Sequence, residues 1–261
     1  MPIVLRGVYS GYMRGDYVLK NVDMDISSHT LILGPNGSGK TTLFRTIIGV
    51  TPLAKGLVKI DGLELEKIRG VTGLISTNLP EVYIGYTSSS WELASLYLDL
   101  MNGDQGKFND LARAFNIAGE LVKKPHHLSA GTRILFYDLL ALSMNTKYVL
   151  LDEPFENVDP AKRSMLLKEI LSAKSTIVLN THTTWLIKHM NEWSVYLMIR
   201  GRLYGPVSTS ELLSSKISQD AVSDAVLEIN LGEKTVYLSR SSGIPLSNLD
   251  SLDKLYEVLT W

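Results

Sequence analysis

Gly34-Pro35-Asn36-Gly37-Ser38-Gly39-Lys40-Thr41-Thr42 satisfies every position of the phosphate-loop pattern G-x-x-x-x-G-K-[ST]. Its glycines let the backbone turn tightly enough to aim successive N–H groups at phosphate oxygens. The helix expected to begin near Gly39 adds the positive end of its dipole. Lys40 is placed to reach the β- and γ-phosphates, and the Thr41 hydroxyl to ligate Mg²⁺. A match this short can arise by chance, so its flanks decide. Upstream, Thr30 to Leu33 is a compact apolar run that reads as a buried strand; downstream, Leu43, Phe44, Ile47 and Ile48 recur at helical spacing. Strand, glycine loop and helix follow in the order a nucleotide site requires.

The remaining composition narrows the class. At 261 residues the chain can bury a large core and fits one large domain, or a domain with a small appendage. Lys plus Arg is 26 against 27 Asp plus Glu, so no basic excess points to nucleic acid. Absence of cysteine excludes a disulfide framework and thiolate-bound metal. Met1-Pro2-Ile3-Val4-Leu5-Arg6 lacks the features of a secretory signal, and no apolar run reaches the roughly 18 residues that span a bilayer. Any membrane role is therefore expected to come through a partner.

Taken in order, residues 3–9 and 18–26 alternate as two strands of a hairpin or small sheet. Tyr12, in the loop between them, is a candidate to stack on a purine base, with Tyr17 as its rival. Residues 56–62 read as a strand ending in an Asp-Gly turn, and 71–77 as another short strand. Residues 80–127 lack strand alternation. Helix-spaced apolar residues over 91–101 and 111–122, parted by Gly103-Asp104-Gln105-Gly106, predict a helical insertion. Ser129 reads as the cap of an apolar helix from about Arg133 to Met144, with Gly131 leaving N–H groups open at a second anion-binding helix start.

Tyr148-Val149-Leu150-Leu151-Asp152-Glu153 is an apolar strand ending in two carboxylates, and ligands bind at the C-terminal ends of strands in parallel sheets. Asp152 is placed to hold Mg²⁺ and Glu153 to orient and deprotonate an attacking water. A helix over 161–171 and a buried strand over 176–179 follow. His182 lies just past that strand and is a candidate to bind the γ-phosphate and the attacking water, whereas His29, His126, His127 and His189 have no comparable setting. Residues 195–206 read as a closing hairpin. A second hairpin over 225–239 and a short helix over 252–259 carry no chemical motif.

With glycine loop, Leu128-Ser129-Ala130-Gly131-Thr132, paired acids and histidine in this order, the chain resembles the ATP-binding cassette (ABC) ATPase family over about residues 1–215. The resemblance implies an α/β phosphate-loop NTPase fold: a mainly parallel sheet core, an N-terminal antiparallel β subdomain and a helical insertion over about 80–145, with 216–261 as a small extension. Residues 34–42 match Walker A, 148–153 Walker B, 128–132 the family signature, Asn157 to Asp159 the loop that communicates between subunits, His182 the switch histidine and Tyr12 the adenine-stacking aromatic. It further implies that ATP and Mg²⁺ bind, and that two cassettes close head to tail on ATP, Ser129 and Gly131 of one gripping the γ-phosphate held by Walker A of the other.

Three departures stand out. The signature has Ala130 and Thr132 where glycine and glutamine are usual; Thr77-Asn78 stands where a glutamine is usual, leaving Asn78 a shorter amide toward Mg²⁺ and water; and the turn over 27–30 lacks the usual Gly-Glu. The leading expectation is the ATP-hydrolysing subunit of a transporter, cytoplasmic and peripheral at the inner face of the cell membrane through membrane-spanning permease subunits. The alternative is a soluble ABC ATPase acting on a protein scaffold, a ribosome or DNA. A single cassette without a coiled-coil insertion or basic stripe argues against nucleic acid.

Overall fold

In the computed structural model, residues 2–246 are described except Arg14, Arg69, residues 84–88, Thr184 and Glu233. The chain runs β1 (Ile3–Ser10), β2 (Leu19–Ile26), β3 (Thr30–Leu33), α1 (Lys40–Ile47), β4 (Leu53–Ile60), β5 (Leu63–Glu64), α2 (Leu65–Ile68) and β6 (Ile75–Thr77). Then come α3 (Ser90–Leu100), α4 (Gln105–Ala114), α5 (Ala130–Ser143), β7 (Tyr148–Asp152), α6 (Pro160–Ser172) and β8 (Thr176–Thr181). After them follow β9 (Ser194–Ile199), β10 (Arg202–Ser208), α7 (Thr209–Ser214), β11 (Lys216–Ser218), β12 (Ala225–Asn230), β13 (Thr235–Ser239) and β14 (Ile244–Pro245). The helix expected over 252–259 lies outside the described residues.

The chain divides into two units, one of Met1–Ile3 with Lys59–Leu179, the other of Val4–Val58 with Asn180–Trp261. The residues expected as a C-terminal extension, β11 to β14 among them, fall in the second unit. In the first unit β6 runs parallel to β7, with Thr77 opposite Leu150. Tyr148 to Leu151 are all buried, as expected of a strand covered on both faces. The helical insertion packs Phe108 of α4 against Phe136 of α5, ring centroids 6.1 Å apart and edge to face. Its helices start where side chains capture orphan N–H groups. The Ser89 and Glu92 capping box opens α3, and Asp104 accepts the Lys107 N–H at 2.8 Å to open α4. The expected separator over 103–106 is thus partly helix, and the second helix ends at Ala114 instead of running over 111–122.

In the second unit β3 lies parallel to β9, Leu31 opposite Val195, while β10 returns antiparallel to β9. All of Thr30 to Leu33 is buried, and α1 adds Leu43, Phe44 and Ile47 to the same core. Strands β2, β1 and β4 are neighbours in an antiparallel-type subdomain in which Leu5, Val8, Leu19 and Val22 point inward. The C-terminal sheet has the order β12-β13-β11-β14. Its β12–β13 hairpin is the one expected from the alternation, whereas α7, β11 and β14 are too short to have left a periodic signal. No helix among the described residues is long and apolar enough to cross a membrane.

Candidate functional site

Tyr12, the loop over 34–42 and His182 fall in the second unit. Gly39 introduces α1 at φ 108, a left-handed conformation that costs residues with a Cβ about 1 kcal/mol, and a Cβ there would meet Met198 Cε at 3.1 Å. Lys40 is buried and donates from Nζ to the carbonyl oxygens of Gly34 at 2.8 Å and Pro35 at 3.2 Å, so its ammonium is held over the loop. The buried Ser38 hydroxyl has no hydrogen-bond partner among the described residues. An oxyanion laid in the loop would satisfy it, so cationic head, unsatisfied hydroxyl and helix start fit a polyphosphate. The Gly34 N–H donates to the Thr181 carbonyl at 3.3 Å, which joins the start of the loop to the end of β8, immediately before His182. Beyond it, Thr183 N–H donates to Thr181 Oγ1 at 3.1 Å, a local turn that fixes the backbone around the histidine.

Tyr12 is 58% exposed, and its hydroxyl is 3.2 Å from Thr42 Oγ1 and accepts from Arg45 Nη1 at 2.9 Å. Two contacts to α1 therefore hold the ring beside the first turn of the phosphate-loop helix. Nothing in the local sequence singles out Arg45 as a positioning group. Its place one turn into α1, on the side of Tyr12, is a matter of three-dimensional packing.

Asn78, Ser129, Gly131, Asp152, Glu153 and Asp159 fall in the first unit. Strand β7 ends at the half-buried Asp152, and Glu153 turns the chain at φ 45, with Asn157 at φ 53. Left-handed backbone at a glutamate costs on the order of 1 kcal/mol, and such strain collects where side chains must be aimed. Asp152 and Thr41 both offer oxygen donors of the kind a hard divalent cation takes. α5 starts at Ala130, three residues before the expected start. Ser129 caps it, accepting the Thr132 N–H at 3.3 Å and donating to Thr132 Oγ1 at 2.9 Å. A Cβ on Gly131 would stand 2.3 Å from the Asn157 carbonyl oxygen, so this helix start seats against the turn after the two acids only because residue 131 has no side chain. Asp159 is the exposed cap position of α6, with Pro160 as the first helical residue and no capping bond from its side chain.

The expected role of Asn78 toward Mg²⁺ and water needs correction. Its side chain is almost wholly buried: Nδ2 donates to Asp138 Oδ1 at 2.7 Å and to the Asp152 carbonyl at 3.0 Å, and Oδ1 accepts the Asp152 N–H at 2.7 Å. With a methylene less than glutamine, the amide stays beside the strand, and both its donors are spent there.

A family model for ABC transporters matches residues 19–156. The chain belongs to this family. Among its relatives, the energy-coupling factor transporter ATP-binding protein of Methanocaldococcus jannaschii is 28% identical to the cassette over 223 residues, 80% of each chain. A solved structure described as a candidate cobalt transport ATP-binding protein is 35% identical, with TM-score 0.88 over 98% of this chain and 99% of that one. A dimeric bacterial ABC transporter cassette, 21% identical, shares the fold at TM-score 0.65 over 79% of this cassette and 98% of its own length.

Proposed function

We propose that this cassette binds Mg-ATP, hydrolyses it to ADP and phosphate, and drives transport through membrane-spanning permease subunits on other chains. The observation that carries the reading is the end of β7, where a buried strand delivers Asp152 and then Glu153 on a left-handed turn, in a chain that also holds Lys40 over a phosphate loop. Glu153 takes the proton of the attacking water, and His182 hydrogen-bonds the γ-phosphate and that water. Lys40 and the loop N–H groups bear the phosphate charge, with Gly34, Asn36, Gly37, Ser38, Gly39 and Thr42 forming the cradle. Tyr12 takes the adenine face.

Thr41 and Asp152 are the residues we assign to Mg²⁺, which when bound neutralises charge developing on the phosphates. Ser129 and Gly131 serve a second cassette, gripping the γ-phosphate bound to that copy's loop, with Asp159 at the interface. The description of relatives as energy-coupling factor and cobalt transport ATP-binding proteins supports a transport role, which we place at the inner face of a membrane. They lend nothing to a scaffold, ribosome or DNA target.

Light scattering after size exclusion tests the reading on Glu153→Gln. Removal of the proton acceptor should trap the ATP-bound state, so Mg-ATP should convert monomer into dimer. ATP binding without any such conversion would contradict the shared-site mechanism.

A further inference from the structure

Asp138 lies on α5 among Leu135, Phe136, Tyr137, Leu139 and Leu140, and none of its surface is exposed. Oδ1 accepts from Asn78 Nδ2 at 2.7 Å; Oδ2 has no hydrogen-bond partner among the described residues. A carboxyl in such a place is costly compared with an apolar side chain. Burial pushes it well above the ordinary carboxylate range, against the Asn78 hydrogen bond and together with the nearby charge of Asp152. Among the described residues its one hydrogen-bond partner, Asn78, is also the group that grips the end of β7.

The parallel ladder of β6 and β7 runs to Thr77 opposite Leu150, with the Asn78 N–H donating to the Leu150 carbonyl at 3.2 Å. There the backbone pairing stops. The Asn78 side-chain amide then acts as a further peptide unit, accepting the Asp152 N–H and donating to the Asp152 carbonyl. Because the Asp152 N–H can only donate, Asn78 must turn Oδ1 toward it, which leaves the second Nδ2 hydrogen pointing at α5. Asp138 supplies the acceptor that hydrogen needs. The end of β6 is tied as well: the buried Tyr83 hydroxyl donates to the Thr77 carbonyl and its ring stacks on Tyr137 of α5, centroids 5.2 Å apart.

We propose that Asp138 is a positioning residue for ATP hydrolysis: through Asn78 it fixes the main chain at Asp152, and so the direction in which β7 presents Asp152 and Glu153. The residues involved are 60 and 74 positions apart in sequence, and the coupling joins the helix that opens at Ser129 to the strand that ends in the acids. The inference rests on the reading of those acids as the hydrolytic pair. Asn78 here splints the strand end and does not reach toward the nucleotide.

Asp138→Ala, Asp138→Asn, Asn78→Ala and the Asp138→Ala/Asn78→Ala double variant test it in the full chain, by kcat for Mg-ATP, Kd for ATP and hydrogen exchange at the Asp152 amide. Misplacement by about 1 Å can cost on the order of 100-fold in rate, so Asp138→Ala should lose at least tenfold in kcat while Kd for ATP stays within about twofold. Asp138→Asn keeps an acceptor for Asn78 and should recover most of that kcat, and the double variant should be no slower than the slower single one. Protection of the Asp152 amide should fall in Asp138→Ala and Asn78→Ala and persist in Asp138→Asn. Unchanged protection in Asn78→Ala, or losses in kcat that multiply in the double variant, would overturn the inference. A parent chain without ATPase activity would instead overturn the functional reading, with the amide protection still deciding what Asp138 holds.

Discussion

The phosphate loop and the end of β7 hold their functional groups in place by opposite means. Over 34–42 the backbone does the holding: Gly39 at φ 108, Lys40 folded over the Gly34 and Pro35 carbonyls, and a helix start, all within nine consecutive residues. At Asp152 the geometry depends on side chains from distant segments, Asn78 beside the strand, Asp138 behind it and Gly131 letting α5 meet the turn at Asn157. A local device of backbone can bind strongly but gives little leverage over orientation. A long-range device of side chains sets orientation and is open to replacement one residue at a time, as Asn78 in place of the usual glutamine illustrates. Variants of the loop should therefore act mainly on affinity, and variants of the junction on turnover.

The largest expected effect is that of Glu153→Gln, a fall in kcat of about 10²- to 10⁴-fold with ATP affinity retained, read by steady-state hydrolysis and by nucleotide titration. Equal losses in both quantities would break the division between the regions. Lys40→Ala removes a charge-assisted hydrogen-bond donor worth about 1.5–3 kcal/mol, so Kd for ATP should rise by one to two orders of magnitude in the same titration. Gly131→Ala forces a Cβ to within van der Waals overlap of the Asn157 carbonyl, and urea denaturation should reveal a loss of about 1–3 kcal/mol accompanied by slower turnover. A Gly131→Ala chain of parental stability would mean that α5 and the turn can part without cost.

Smaller effects sharpen the contrast. Tyr12→Ala should weaken ATP binding by about 1 kcal/mol through lost stacking. Tyr12→Phe keeps the ring but gives up the contacts to Thr42 and Arg45, so its affinity should fall between parent and alanine variant. The slightest is a pH slope. Burial raises the folded-state pKa of Asp138 above its unfolded value, so the stability its proton confers is complete below about pH 4 and is lost as pH rises through the raised value. Asp138→Asn has no such proton to lose. Its urea midpoint relative to the parent should accordingly climb as pH is raised from about 4, with Asp152 and Tyr83 the titratable neighbours unchanged in both chains.

Much of the fold was legible because strand and helix periods are local. The all-buried runs Thr30–Leu33 and Tyr148–Leu151 announced strands covered on both faces, and the β12–β13 hairpin followed from alternation. Errors fell where a cap overrode the periodicity. Asp104 starts α4 inside a stretch that its glycines mark as a break, and α5 begins directly after Ser129, the expected cap, a turn ahead of the apolar run. Asp138 was missed although its signal was present, a lone acid within the apolar helix that follows Ser129.

Sequence alone determined the chemistry on offer: a phosphate loop, a lysine, two acids at a strand end, a capped helix with glycine, and a histidine after a strand. Each is encoded by a contiguous stretch, because backbone turns, helix starts and strand ends are set by neighbours in the chain. Tertiary structure decided how those groups are held. The Asn78 amide, the Asp138 carboxyl and the Asp152 peptide meet across 60 to 74 residues of chain, and a hydrogen bond between such partners depends on packing that no local pattern records.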